Sequence, residues 1–97
     1  MRKNAKQVAG LMQQLANENR LLILCALLEK PMTVSELAEH VPDISAPALS
    51  QHLHKLRSAG LICSEKQAHF IRYSICDPRI QDLMDLLRRE YCTDGKL

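Results

Sequence analysis

The hydrophobic pattern of this chain changes period at Gly60. Before it, Leu49, Leu53 and Leu56 recur at helical spacing; after it, Ile71, Tyr73 and Ile75 alternate with Arg72 and Ser74. A period near 3.6 giving way to a period of two requires a helix followed by strands. Glycine between them stops the helix. The spacing predicts a first strand near Leu61 to Lys66, paired with the second through a turn around Gln67 and Ala68. The result is a two-stranded hairpin with Lys66 and His69 at a basic tip.

Four helices are expected upstream of the hairpin. Val8, Leu11, Met12 and Leu15 stripe a first helix over about residues 3–16. Asn17 caps a second, in which Leu21, Leu24, Cys25 and Leu28 form the stripe, so Cys25 falls on the buried face and Pro31 ends the helix. TVSE, with Thr33 and Glu36, is a capping box for a short third helix lined by Val34, Leu37, Ala38 and Val41. After a turn at Pro42 and Asp43, Ser45 caps the fourth helix, with Pro47 in its first turn. Downstream of the hairpin, Asp77 and Pro78 open a last helix striped by Ile80, Leu83, Met84, Leu87 and Tyr91. The expected fold is mainly α with one hairpin, a single domain over residues 1–97 with no linker.

Composition excludes several classes. The chain has 97 residues, 46% of them hydrophobic, but no Trp, one Phe and two Tyr, so the core must be aliphatic. The cysteines at 25, 63, 76 and 92 lack CxxC spacing, against a zinc ribbon, and the apolar content makes a disulfide-stapled miniprotein unnecessary. The longest apolar run, Leu21 to Leu28, is far short of the roughly 20 residues that span a bilayer. MRKNAKQ is followed by a segment broken by glutamines, unlike a signal peptide. A cytoplasmic protein without membrane attachment is expected, where disulfides are transient or sensory. No Gly-rich phosphate loop or recognisable Cys–His–acid pattern suggests an enzyme, and no cofactor is expected.

Two short helices, a tight turn and a basic hairpin make a winged helix-turn-helix, whose second helix enters the major groove of DNA. At about 100° per residue, Leu49, Leu53 and Leu56 fall within about 60° of one another. Opposite them lie Pro47, Ser50, Gln51 and His54, with Lys55 at the edge and no acid. Gln can pair with adenine edges, Ser with several bases or a phosphate, Lys with phosphate or guanine. From Ala46 to Cys76 the charged residues are Lys55, Arg57, Lys66 and Arg72 against Glu65 alone, within a chain of net charge +2. The expected partner is double-stranded operator DNA, met by Ser45, Pro47, Ser50, Gln51, His54 and Lys55 in the groove and by Lys66 and His69 at phosphates. His52 flanks the leucine stripe and reads as a packed, hydrogen-bonded structural residue. A winged helix adaptor that binds protein is the competing reading, and the acid-free face argues against it.

NENRLLILCALL, VSELAEHV, SAPALSQHLHKLRSAGLI and IRYSI resemble the ArsR/SmtB family of bacterial repressors over almost the whole chain. The resemblance implies a homodimer through the first and last helices that leaves its operator when an inducer binds or reacts. Ala46 stands where many relatives have Gln, so one customary DNA contact is absent. Metal-sensing relatives carry a CVC pair on the third helix, or Asp and His on the last. This chain has no Cys in the former and, in the latter, Asp82, Asp85 and Glu90 but no His. Carboxylates alone form poor transition-metal sites, so no metal ligand set is assigned and a metal-responsive repressor stays an alternative.

The sulfur-responsive subgroup, with the SqrR, BigR and HlyU regulators, carries one Cys in a sequence like RLLILC and another in a sequence like YC. Cys25 and Cys92 match both positions. The resemblance implies a redox-sensing pair bridged by reactive sulfur species or oxidants, with Cys92 the more accessible thiol and Cys25 its partner. Arg88 and Arg89 favour a Cys92 thiolate, and the helix C-terminus opposes it. Cys63 and Cys76 have no counterpart in the motif and are expected as core or edge thiols. HlyU-like activation by relief of silencing is a second alternative.

Overall fold

The computed structural model describes residues 2–92. A 3-10 turn, Arg2–Asn4, leads into α1 (Ala5–Leu15) and α2 (Glu18–Leu27), followed by β1 (Met32–Thr33), α3 (Val34–Ala38), α4 (Ala46–Ser58), β2 (Ile62–Gln67), β3 (Phe70–Ile75) and α5 (Pro78–Tyr91).

Local chemistry sets most of these boundaries. Asn17 Oδ1 accepts from the Arg20 amide at 3.1 Å. Thr33 Oγ1 accepts from the Glu36 amide at 3.2 Å while the Thr33 amide donates to Glu36 Oε1 at 3.1 Å, completing the capping box. Ser45 Oγ accepts from the Ala48 amide at 3.2 Å, and Asp77 Oδ1 from the Arg79 amide at 2.9 Å. Pro47 and Pro78 occupy first turns, where the missing N–H would have no helical partner. α4 ends in a Schellman pair, Gly60 N–H to Arg57 O and Leu61 N–H to Leu56 O, both 3.0 Å. Gly60 takes the left-handed φ of +80° that this ending needs.

α2 is the centre of the molecule. Ile23, Leu24, Cys25, Ala26 and Leu27 are buried in succession, a wider burial than the single expected stripe. The helix packs against α1, α4, α5 and β3, so it has no solvent-facing side along that stretch. Leu37, Leu49, Leu53, Leu56, Ile62, Ile80 and Met84 close the aliphatic core around it.

The sheet corrects the expected two-stranded hairpin. It has three antiparallel strands in the order β1-β3-β2, because Met32 and Thr33 pair with Tyr73 and Arg72. A two-residue strand is too short to show a period of two, and α2 ends at Leu27, leaving room for an extended segment before the capping box. The hairpin turn is Ala68 and His69, with Gln67 opposite Phe70, one residue later than expected. Ala68 takes φ +56°, and no Gly, Asn or Asp marks the position in the sequence.

The expectation of separate thiols at Cys63 and Cys76 is also overturned: they form a disulfide, Cα–Cα 5.7 Å. Cys63 lies opposite Ser74, so Cys76 is its diagonal neighbour just beyond β3.

Candidate nucleic-acid interface

α4 presents two chemically distinct sides. Leu49, Leu53 and Leu56 are at most 1% exposed, whereas Pro47, Ser50, Gln51, His54 and Lys55 are all exposed. Ser50, Gln51, His54 and Lys55 line one shallow depression on the outer surface. Exposed Ser45 already uses its Oγ as the helix cap, which fixes the hydroxyl at the start of that surface. Lys66 and His69 are exposed on the hairpin, at and beside its turn. The structure therefore brings Ser50, Gln51, His54 and Lys55 together and sets Lys66 and His69 on a separate projection, the wing.

Not every basic residue of this region is available to a ligand. Arg57 Nη1 donates to Ser64 Oγ at 3.0 Å, joining α4 to β2. Arg72 Nε donates to Gln67 Oε1 at 2.9 Å, and its Nη1 meets Glu36 Oε1 at 3.2 Å, joining β3 to α3. Lys30 Nζ lies 3.7 Å from Glu36 Oε2. The Thr33 amide, with help from the Thr33 hydroxyl and from Arg72 and Lys30, holds the Glu36 carboxyl below its usual range. Charge counting along the chain placed Arg57 and Arg72 only within a locally basic stretch; the structure makes them braces between the wing and the helices.

Arg20 is a second brace that sequence reading missed. Its Nη1 donates to Gln14 Oε1 at 2.8 Å and Gln14 O at 3.3 Å, and its Nε donates to His52 Nδ1 at 3.2 Å. One guanidinium thereby links α1, α2 and α4. His52 is the packed, hydrogen-bonded residue its position suggested. Partial burial first, then the Arg20 and Lys55 charges, pull its pKa below the usual imidazole value.

The cysteines differ in setting. Cys25 is buried in α2, and Cys92 is half-buried at the C-terminal cap of α5, where its amide donates to Arg88 O at 3.0 Å. α2 and α5 pack directly on each other. The arginines expected to act on Cys92 pair with acids, Arg88 with Asp85 at 3.4 Å and Arg89 with Glu90 at 3.5 Å. Cys63 and Cys76 are both exposed. Among the described residues, no three His, Cys, Asp or Glu side chains gather as metal ligands would, and no helix is long and apolar enough to cross a membrane.

Residues 17–64, from the cap of α2 to the start of the wing, match the model of the bacterial regulatory protein arsR family. The chain is 39% identical over 92 residues to the transcriptional activator HlyU of Vibrio cholerae, covering 95% of this chain and 84% of that protein. This chain belongs to the ArsR family. A structure of reduced HlyU from Vibrio cholerae superposes on this ArsR-family chain with a TM-score of 0.88, covering 96% of this chain and 97% of that one. The transcriptional repressor BigR from Xylella fastidiosa gives a TM-score of 0.86 at 31% identity, covering 97% and 95%. The chain is thus an ArsR-family transcriptional regulator with the winged helix-turn-helix fold of that family. The HlyU and BigR names describe an activator and a repressor, so likeness to both leaves the sign of regulation to other observations.

Proposed function

We propose that the chain acts as a homodimeric repressor whose α4 enters the major groove, whose wing meets phosphates, and which releases its operator when Cys25 and Cys92 are bridged by reactive sulfur. The observation that carries the DNA part is the acid-free outer surface of α4, where Ser50, Gln51, His54 and Lys55 converge opposite a fully buried leucine side. Ser45 and Pro47 stand at its entry, and Lys66 and His69 extend it along the duplex backbone. Dimerisation has its support in apolar residues left uncovered on the terminal helices, Met12 at 45% exposure on α1 and Leu86 at 43% on α5.

The switch uses sulfane sulfur transfer. The Cys92 thiolate takes the outer sulfur of a low-molecular-weight persulfide, RSSH, releasing RSH. The Cys92 persulfide takes a second outer sulfur from another RSSH, releasing RSH, and the Cys25 thiolate then attacks the middle sulfur of the Cys92 chain and displaces hydrosulfide. Two RSSH and two thiols thus give a trisulfide bridge between Cys25 and Cys92, two RSH and one hydrogen sulfide. Two cysteines on helices packed with axes about 8–10 Å apart need not bring their Cα atoms to the roughly 4.4–6.8 Å that a plain disulfide demands, and added sulfur lengthens the reach. Persulfide is therefore expected to release DNA more readily than peroxide.

The test is an operator-binding titration of reduced, persulfide-treated and peroxide-treated protein, with each product mapped by mass spectrometry. The expected result is release by persulfide, with the added sulfur between Cys25 and Cys92 of one chain. Undiminished binding after that bridge has formed, or release from a Cys25→Ser/Cys92→Ser variant, would overturn it. The resemblance to an activator favours a second reading, in which the same contacts displace a silencing protein. Transcription from the target promoter with and without such a silencer separates the two.

A further inference from the structure

The Cys63–Cys76 bridge lies away from the Cys25 and Cys92 positions. Both its sulfurs sit on exposed residues, and the two cysteines, 13 positions apart in sequence, enclose the hairpin from Cys63 onward, with Lys66 and His69 in it. Its ends adjoin two structural junctions. Cys63 precedes Ser64, the acceptor of the Arg57 brace from α4, and Cys76 precedes Asp77, the cap of α5. The hairpin register makes the pair diagonal neighbours, with Cys63 opposite Ser74 and Cys76 two residues further along the same side of the ladder, and their Cα atoms are 5.7 Å apart.

We propose that Cys63 and Cys76 form a second, independent redox site, exchanging with low-molecular-weight thiols and disulfides, that fastens or loosens the base of the wing. An attacking thiolate, RS⁻, bonds to one sulfur and frees the other cysteine as a thiolate. A second RS⁻ then displaces the remaining cysteine from the mixed disulfide. The sum is one protein disulfide and two RSH giving two cysteine thiols and one RSSR, a two-electron exchange that runs either way with the RSH to RSSR ratio. Both cysteines are exposed residues, open to a reagent in solvent, whereas Cys25 is in the core. In the bridged form the hairpin is a closed loop and presents Lys66 and His69 from a fixed base. In the dithiol form strand pairing and the Arg57 and Arg72 braces hold it without the covalent closure, and those side chains are ordered further when DNA binds.

The affinity part rests on the wing contacts proposed above; the exchange part does not, so they are measured separately. Unmodified protein is equilibrated across a series of reduced-to-oxidised glutathione ratios, quenched by alkylation and mapped by peptide, which reports Cys63 and Cys76 apart from Cys25 and Cys92. The expected result is reversible interconversion of the Cys63–Cys76 bridge as one two-electron couple, with faster tryptic cleavage after Lys66 in the dithiol form. Thiols that label at every ratio, a bridge that survives a large excess of glutathione, or equal cleavage of both forms would overturn the site. Binding is then compared between both forms and a Cys63→Ser/Cys76→Ser variant. The bridged protein should bind specific and random DNA about threefold to tenfold more tightly than the dithiol form or the variant. Equal affinities would overturn the wing-fastening role. Reversible exchange in a protein that binds no DNA in either form would overturn the regulatory reading while retaining the redox site.

Discussion

Gln51 and Lys66 are both exposed, and the proposed DNA reading assigns them different kinds of contact. A side chain reading a base edge discriminates sequences, whereas one at a phosphate strengthens all sequences alike. Gln51→Ala is expected to relax preference at one position per half-site by about 1–3 kcal/mol, and Lys66→Ala to weaken specific and random DNA equally while reducing the salt slope by about one. Competitive binding at several salt concentrations checks both, and equal loss on all sequences from Gln51→Ala would remove it from the groove. His52 supplies a pH test. Its folded pKa lies below the ordinary 6.5, so the unfolded chain takes up the proton more readily. The stability it confers is complete above about pH 6.5 and is lost as pH falls through the lower folded value. His52→Gln keeps an acceptor for Arg20 and should flatten the fall in stability as pH drops below about 6.5, measured by urea unfolding. Glu36 and Asp77, whose pKa values are also depressed, act at lower pH, losing their contribution as pH drops through and below the ordinary carboxylate range.

At the scale of elements, the hairpin turn gives the simplest prediction. Ala68 holds a left-handed φ without glycine's freedom, so Ala68→Gly should stabilise the protein by up to about 1 kcal/mol, read as a rise in thermal midpoint. An unchanged or lower midpoint would mean that the turn carries no such cost. What was legible in the sequence follows from how local each signal is. The caps at Asn17, Thr33, Ser45 and Asp77 involve residues two or three apart, and all four appear with the expected hydrogen bonds. β1 was not legible because two residues cannot display a period. The burial of Ile23 and Ala26 depends on what packs around α2, which no pattern within the helix records. The wing disulfide was hidden by a single residue. A turn at Gln67 and Ala68 sets Cys63 opposite Arg72, whereas the turn at Ala68 and His69 sets it opposite Ser74 and delivers Cys76 as its diagonal neighbour. Likewise Arg57 and Arg72 read as surface charge until their partners, Ser64 and Glu36, are brought across the fold.

Across the whole molecule, the proposed dimer has a direct check. Leu86 is 43% exposed in the single chain, so Leu86→Glu should leave the chain folded but shift gel filtration at micromolar concentration from dimer to monomer. Loss of simultaneous half-site engagement should then weaken operator binding by about a hundredfold or more. A variant that stays dimeric would move the interface away from α5. The enclosure of α2 bears on what kind of chemical event the molecule can register. Ile23 through Leu27 are buried without a break, with helices and sheet against them, so Cys25 stands within the core. A sulfur atom added there needs volume of its own, and close-packed interiors answer such insertions by displacement, at a cost of about 1–3 kcal/mol. The elements packed against α2 include α4, which in the proposed reading faces DNA, and α5, which would face the second subunit. The switch then weighs the bulk of what reaches Cys25 as well as the bond it makes.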